Sequence, residues 1–130
     1  MKYLSFLILI MSLMSCKKDD SVKPADQLIG KWELVSSSGG IAGITINYPA
    51  GSGNTVEFNG SSYKEIRDNK LTRAGAYTTK KQMSMLLQEE GDGLVYEGNE
   101  QRYFFSISGS ELSIYHDAND GFNNRYQRIN

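Results

Sequence analysis

The chain offers few side chains that could act as a nucleophile, a general base or a metal ligand. It has one histidine, His116, and one cysteine, Cys16. Cys16 has a different role, argued below, so neither a multi-histidine nor a His–Cys metal site is expected. His116-Asp117 resembles part of a hydrolase triad, but the chain has no Gly-x-Ser-x-Gly sequence to supply the nucleophile. We interpret His116 as a polar residue at the end of a strand.

Two acidic segments also fail as catalytic or metal sites. Glu89-Glu90 and Asp92 form a small cluster, and paired carboxylates act as acid and base in glycosidases. Adjacent residues on a turn normally face water, so a solvated turn is expected here. The segment 117–121 ends in Asp-Gly but lacks the sixth-position Gly and twelfth-position Glu of a calcium loop, and favours a hairpin turn. No catalytic residue, metal or cofactor is predicted, and we expect no enzymatic activity.

The amino terminus has the layout of a secretory signal. After Met1-Lys2, an uncharged and mostly apolar run extends from Tyr3 to Met14. One basic residue followed by about a dozen apolar residues is typical of a signal peptide. As a helix the run would be about 18 Å long, whereas the hydrocarbon core of a bilayer is about 30 Å thick. It is therefore a poor transmembrane anchor.

The run ends in Leu13-Met14-Ser15-Cys16, which resembles the lipobox of bacterial lipoproteins, although Met14 is bulkier than usual. The resemblance implies that residues 1–15 are removed and that Cys16 carries a diacylglyceryl thioether, often with an N-acyl chain. Stable anchoring needs two lipid signals, and this chemistry supplies them. Lys17 follows the cysteine, whereas an Asp there often retains lipoproteins in the inner membrane. We expect a lipid-anchored protein of the outer membrane, on its periplasmic or cell-surface face.

Residues 16–26 comprise the predicted lipidated cysteine and a charged tether, because KKDDSVKPAD has only one sizeable apolar side chain.

The whole chain has 14 Lys and Arg against 15 Asp and Glu. So weak a charge balance argues against a nucleic-acid partner, which would require a basic stripe.

Residues 27–130 show short alternating runs separated by turn residues, and no sustained helical period. Asn59-Gly60 lies between two such runs and predicts a hairpin with a type I′ turn. About eight or nine strands at this spacing indicate a sandwich or an up-and-down barrel. The predicted strands are Gly30–Ser36, Thr55–Phe58, Ser62–Arg67, Leu71–Lys80, Gln82–Gln88, Leu94–Tyr96, Arg102–Ser108, Glu111–His116 and Asn124–Ile129.

The order of motifs resembles a lipocalin-like domain of Gram-negative bacterial lipoproteins. The first is Gly30-Lys31-Trp32, similar to the Gly-x-Trp signature on the first lipocalin strand. The others are Val56–Tyr63, Gly75-Ala76-Tyr77, Ile107–Ile114 and Tyr126–Ile129. The resemblance implies an all-β fold, an up-and-down antiparallel β-barrel of about eight strands.

The same resemblance implies a structural cluster at one end of the barrel. Trp32, next to Gly30, would pack inside that end, with an Arg of the last strand across it. Arg128 and Arg125 are the two choices, and they point to opposite faces of the strand. We prefer Arg128, because Tyr126 lies on the same face.

Aromatic residues on the predicted strands could line a ligand pocket or simply fill the barrel, because small barrels often pack such rings inside. Tyr combines an apolar ring with one hydrogen-bonding group, which suits an amphipathic ligand. A cavity predicts binding of a small hydrophobic or amphipathic molecule. A filled barrel instead predicts an interaction protein that docks on a membrane or secreted partner through its loops. The residues concerned are Tyr63, Tyr77, Tyr96, Tyr103, Phe105 and Tyr115.

The segment Ser37–Asn54 is the longest predicted connection, and it is rich in glycine. It also holds four large apolar residues that would be costly to leave in water. We expect it to fold back as a lid over the barrel mouth or to dock on a partner. A disordered Gly/Ser loop is the alternative. The apolar residues are Ile41, Ile44, Ile46 and Tyr48.

Overall fold

The computed structural model describes residues 23–130. The predicted signal peptide, Cys16 and most of the predicted tether lie outside these residues. Within the described range the chain forms one short helix and nine strands. They are α1 (Pro24–Leu28), β1 (Gly30–Gly39), β2 (Ile44–Asn47), β3 (Thr55–Phe58), β4 (Ser62–Arg67), β5 (Lys70–Met83), β6 (Glu90–Tyr96), β7 (Tyr103–Ser108), β8 (Glu111–His116) and β9 (Phe122–Ile129).

The strands form one antiparallel sheet in the order β2-β1-β3-β4-β5-β6-β7-β8-β9. β1 also pairs with β9 from Lys31 to Gly39, and this pairing closes the sheet on itself. On its other edge, β1 pairs first with β3 and then with β2. The result is a closed eight-stranded up-and-down barrel with β2 as an additional strand. The predicted all-β barrel is confirmed.

The connections lie at two ends of the barrel because successive strands alternate in direction. The helix α1, the β3–β4 and β7–β8 turns and the carboxyl terminus mark one end, here called the closed end. The β1–β2, β4–β5 and β8–β9 connections mark the other, here called the open end.

Type I′ geometry is predicted at one hairpin turn and occurs at another. The predicted hairpin at Asn59-Gly60 is present, but its loop has three residues, and the Asn59 side-chain oxygen accepts the N–H of Ser62 at 3.0 Å. The turn with positive φ at both central positions is instead Asp68-Asn69, with φ of 48° and 61°. This two-residue turn between β4 and β5 has the φ signature of type I′.

The predicted strand Gln82–Gln88 is wrong, because β5 ends at Met83 and residues 84–89 form the turn to β6. Ser84 explains the break. Its hydroxyl accepts the N–H of Leu87 at 3.0 Å and donates to Asp117 at 2.8 Å. Asp117 also accepts the backbone N–H of Met85 at 2.8 Å. Local side-chain hydrogen bonds of this kind compete with a strand ladder.

The core fills the closed end and the middle of the barrel with apolar and aromatic side chains. A β-bulge between Leu34 and Ser36 changes the side-chain alternation of β1, so that Ser37 faces the interior beside Asn124. The buried cluster consists of Leu28, Trp32, Leu34, Val56, Phe58, Tyr63, Tyr77, Leu94, Tyr96, Phe105, Leu112, Ile114 and Tyr126.

Trp32 and Arg128 form the structural cluster at the closed end. Trp32 is fully buried, and its indole Nε1 donates to the carbonyl of Leu28 at 2.9 Å. The Arg128 guanidinium lies 4.0 Å above the indole and donates to the carbonyls of Gln27 and Ile29. These contacts join β1, β9 and α1, so one arginine holds the helix across the barrel end.

Candidate functional site

A cavity of about 430 Å³ lies toward the open end of the barrel. Its lining combines aliphatic and aromatic walls with a small number of polar groups. Ile46 and Phe122 at its rim are 43% and 39% exposed, so the cavity communicates with solvent. The lining residues are Leu34, Ser37, Ile46, Tyr48, Val56, Glu65, Arg67, Arg73, Tyr96, Tyr103, Ile114, His116, Phe122, Asn124 and Tyr126.

Three charged side chains meet in this cavity. Glu65 and Arg67 lie two residues apart on β4 and so share a face of that strand. Arg73 lies on β5, directly opposite Glu65 in the β4–β5 pairing. Glu65 Oε1 accepts Arg67 Nε at 2.8 Å, and Nη2 of the same arginine lies 2.7 Å away. Glu65 Oε2 accepts Arg73 Nε at 2.8 Å and Nη2 at 2.6 Å. One carboxylate therefore holds two guanidinium groups.

The cluster stays ionised although Glu65 is buried and Arg67 is partly buried. Burial alone would raise the pKa of Glu65, but hydrogen bonds and charge attraction from Arg73 and Arg67 outweigh it and lower that pKa. Burial would lower the pKa of Arg73, yet its contacts with Glu65 raise it. At neutral pH the cluster thus carries two positive charges and one negative charge.

Aromatic rings extend from this cluster along the cavity wall. The Arg73 guanidinium lies 5.5 Å from the centre of the Tyr96 ring. Tyr96 packs edge-on against Tyr103 at 5.3 Å, and Tyr103 stacks on His116 at 5.0 Å. Arg67 donates to the Tyr126 hydroxyl at 3.4 Å. The cavity therefore has a charged region beside a continuous aromatic surface.

Of the aromatic residues predicted to line a ligand pocket, some line the cavity and others do not. Tyr96 and Tyr103 line the cavity, whereas Tyr63, Tyr77 and Phe105 are buried in the core next to it. Tyr115 lies outside this cavity, beside Phe104 in a separate depression.

Of the four apolar residues of the predicted lid, two line the cavity and two are exposed to solvent. Ile46 and Tyr48 line the cavity, while Ile41 is 97% exposed and Ile44 is 52% exposed. Part of the predicted lid segment Ser37–Asn54 is in a strand pairing, because β2 forms a hairpin with the second half of β1.

Sequence reasoning missed Glu65, Arg67 and Arg73. A signal was present, because the second residue of the predicted strand Ser62–Arg67 is the inward-facing Tyr63. Strand alternation then places Glu65 and Arg67 on the same inner face. His116, interpreted as a strand-end residue, also lines the cavity.

Residues 23–130 contain no group of three or more His, Cys, Asp or Glu side chains placed to hold a metal ion. No helix in this range has the length and apolar character needed to cross a bilayer. Comparison of the chain with protein-family models, curated proteins and solved structures finds no match in any of the three.

Proposed function

We propose that this chain is a lipid-anchored binding protein whose lipocalin-like barrel holds a small amphipathic molecule in the cavity at its open end. The observation that carries this proposal is the cavity itself. Its volume of about 430 Å³ falls within the range of about 300–1,000 Å³ typical of small-molecule sites. Apolar walls with a few convergent polar groups are also typical of such sites.

The position of the chain entry supports an anchored arrangement. The described chain enters the barrel through α1 at the closed end, and α1 begins eight residues after Cys16. A lipid on Cys16 would therefore attach at the closed end and leave the open end accessible. Replacement of Cys16 by Ala should abolish incorporation of a tagged fatty acid in cells, and equal labelling of the variant would contradict the lipid anchor.

The binding proposal can be tested with a neutral apolar fluorophore, N-phenyl-naphthylamine. Residues 23–130 contain every strand of the closed barrel and the helix at its end, so a chain beginning at residue 17 holds the complete fold. The probe should bind it with enhanced emission. Ile114 lines the cavity, and Ile114→Trp should reduce binding because the larger ring fills the space.

Thr78→Trp provides the matched control, because Thr78 is exposed outside the cavity. This variant should bind the probe like the original chain, and thermal unfolding would verify that both variants are folded. Equal binding by all three chains would place the probe elsewhere and contradict the proposal.

An interaction protein is the second candidate function, and one observation favours it. Around the β5–β6 turn, Met83, Met85 and Leu87 are each more than half exposed, with Leu86 beside them. Apolar clusters on a surface often mark contacts with another protein. A photo-crosslinking amino acid at position 86 should then form a discrete adduct in cells, whereas one at position 78 should not.

A further inference from the structure

We propose that the ligand is an amphiphile with a single negative charge, whose head group binds beside Arg67 and Arg73 while its tail lies on the aromatic wall. This inference rests on the proposed binding function and specifies the class of ligand. It comes from the charge, the free donors and the shape of the cavity.

The charge of the cavity lining favours a monoanion. Its Glu65, Arg67 and Arg73 side chains form a cluster with one carboxylate and two guanidinium groups, which leaves an excess of one positive charge in the cluster. A bound monoanion would bring the site to neutrality. Because charge interactions are stronger in a partly buried site than in bulk water, an uncompensated positive charge there favours an anionic ligand.

The arginines retain donors for such a head group. Each guanidinium has five N–H groups, and the hydrogen bonds to Glu65 and Tyr126 use only Nε and Nη2. Within residues 23–130, neither Nη1 donates a hydrogen bond. The Arg67 and Arg73 side chains are 29% and 45% exposed, so they remain reachable. Guanidinium groups suit carboxylates in particular, because their paired donors match the two carboxylate oxygens.

Glu65 has a defined part in this arrangement. Its two oxygens hold both arginines by Nε and Nη2, which fixes the guanidinium groups while compensating only one of their two charges. It therefore orients the donors and also repels the incoming anion. Removing its charge should strengthen anion binding, whereas a purely structural role predicts weaker binding.

The tail has an apolar surface next to the charged cluster. Tyr96 and Tyr103 continue from Arg73, and Ile114 and Phe122 lie on the same cavity wall. A linear chain of intermediate length suits a cavity of about 430 Å³ better than a bulky polycyclic molecule. Dodecanoate is therefore a suitable probe.

Calorimetric titration of the chain beginning at residue 17 would compare three ligands with the same tail below their micellar concentrations. These are dodecanoate, neutral dodecanol and cationic dodecyltrimethylammonium. At neutral pH, dodecanoate should bind at least about tenfold more tightly than dodecanol, as expected for charge-assisted hydrogen bonds. The cationic ligand should bind most weakly. Equal binding of dodecanoate and dodecanol would overturn the charge inference but leave the cavity as a binding site.

Three variants identify the site. Arg73→Gln should lower the affinity for dodecanoate about tenfold and leave dodecanol binding unchanged, because it removes a charged donor. Arg125→Gln is the matched control, since Arg125 pairs with Glu111 in an exposed ion pair. It should bind dodecanoate normally. Glu65→Gln should bind dodecanoate more tightly than the original chain.

Folding is measured for each variant by circular dichroism and thermal unfolding. If Glu65→Gln proves too unstable to titrate, a larger rise in melting temperature on adding dodecanoate than the original chain shows would report the same preference. A preference for dodecanoate that persists in Arg73→Gln would overturn the assignment of the site. Failure of all three dodecyl ligands and of the neutral fluorophore to bind would contradict the proposed function itself.

Discussion

Arg128 lies directly opposite Trp32 in the β1–β9 pairing, and its guanidinium covers the indole at 4.0 Å from the ring centre. The strand pairing that closes the barrel thus also carries the contact that seals its closed end. Arg128 reaches past the ring to two carbonyls at the end of α1. Barrel closure and helix docking therefore depend on the same pair.

Trp32→Ala should lower the free energy of unfolding by about 3–5 kcal/mol, as large-to-small changes in a core do. The side chain is fully buried, and its Nε1 hydrogen bond would be lost as well. Arg128→Ala should cost about 1–2 kcal/mol through lost stacking and hydrogen bonds. Arg125→Ala, on the exposed face of β9, should destabilise the barrel less than Arg128→Ala does, because exposed ion pairs contribute little. Urea unfolding measures all three, and a greater sensitivity at Arg125 would contradict this account.

Gly30 has a backbone φ of 139°, and a β-carbon there would lie 2.3 Å from Arg128 Nη1. Gly30→Ala should therefore destabilise the barrel by at least about 1 kcal/mol, through backbone strain and displacement of the guanidinium. In the double variant with Arg128→Ala, the displacement component disappears. The combined loss should then be smaller than the sum of the two single losses. Strict additivity would show that the guanidinium does not constrain Gly30.

The barrel could be predicted from the sequence because its signals are local. Alternation identified the strands Thr55–Phe58, Ser62–Arg67 and Glu111–His116 with the bounds that the structure shows. The strand prediction fails where a side chain competes with the backbone hydrogen bonds between strands. The hydroxyl of Ser84 and the carboxylate of Asp117, which lies 33 residues away, bind the backbone of the β5–β6 turn. The sequence pattern around this turn cannot indicate that Asp117, so distant in sequence, will contact it.

The charged cluster was harder to predict for a different reason. Isolated charged residues on a strand are usually solvent-exposed, so Glu65 and Arg73 suggest an outer face when each is considered alone. The burial of Glu65 becomes favourable only because β4 and β5 pair with Glu65 opposite Arg73. Register, which depends on the Asp68-Asn69 turn and the bulge beside Glu65, therefore decides the site.

Glu65 should make the barrel sensitive to acid. Its pKa in the folded protein lies below the value of about 4.3 expected in an unfolded chain, because Arg73 and Arg67 stabilise the carboxylate against the cost of burial. Its stabilising contribution is thus fully present above that unfolded value and is lost as the pH falls through the folded pKa. Glu65→Gln should cost about 1–3 kcal/mol at pH 7.

Urea unfolding at pH 7 and in increasingly acidic buffers would measure this effect. The difference in stability between the original chain and Glu65→Gln should shrink as the pH falls below about 4. Glu57→Gln is the control, because Glu57 is exposed on β3. A difference for Glu65→Gln that is constant across the pH range would contradict the depressed pKa.

The β1–β2 hairpin is predicted to act as a lid. The residues of the hairpin region that line the cavity identify the face that would cover a bound molecule. Ile46 and Tyr48 line the cavity, whereas Ile41 is almost fully exposed. If the hairpin closes over a bound molecule, dodecanoate should slow hydrogen exchange of the β2 amides. It should leave exchange unchanged in the β3–β4 turn at the opposite end. Ile46→Ser should speed ligand release, because it removes an apolar contact, while Ile41→Ser should not. Exchange in β2 that is equally fast with and without dodecanoate, in a chain shown to bind it, would rule out the lid.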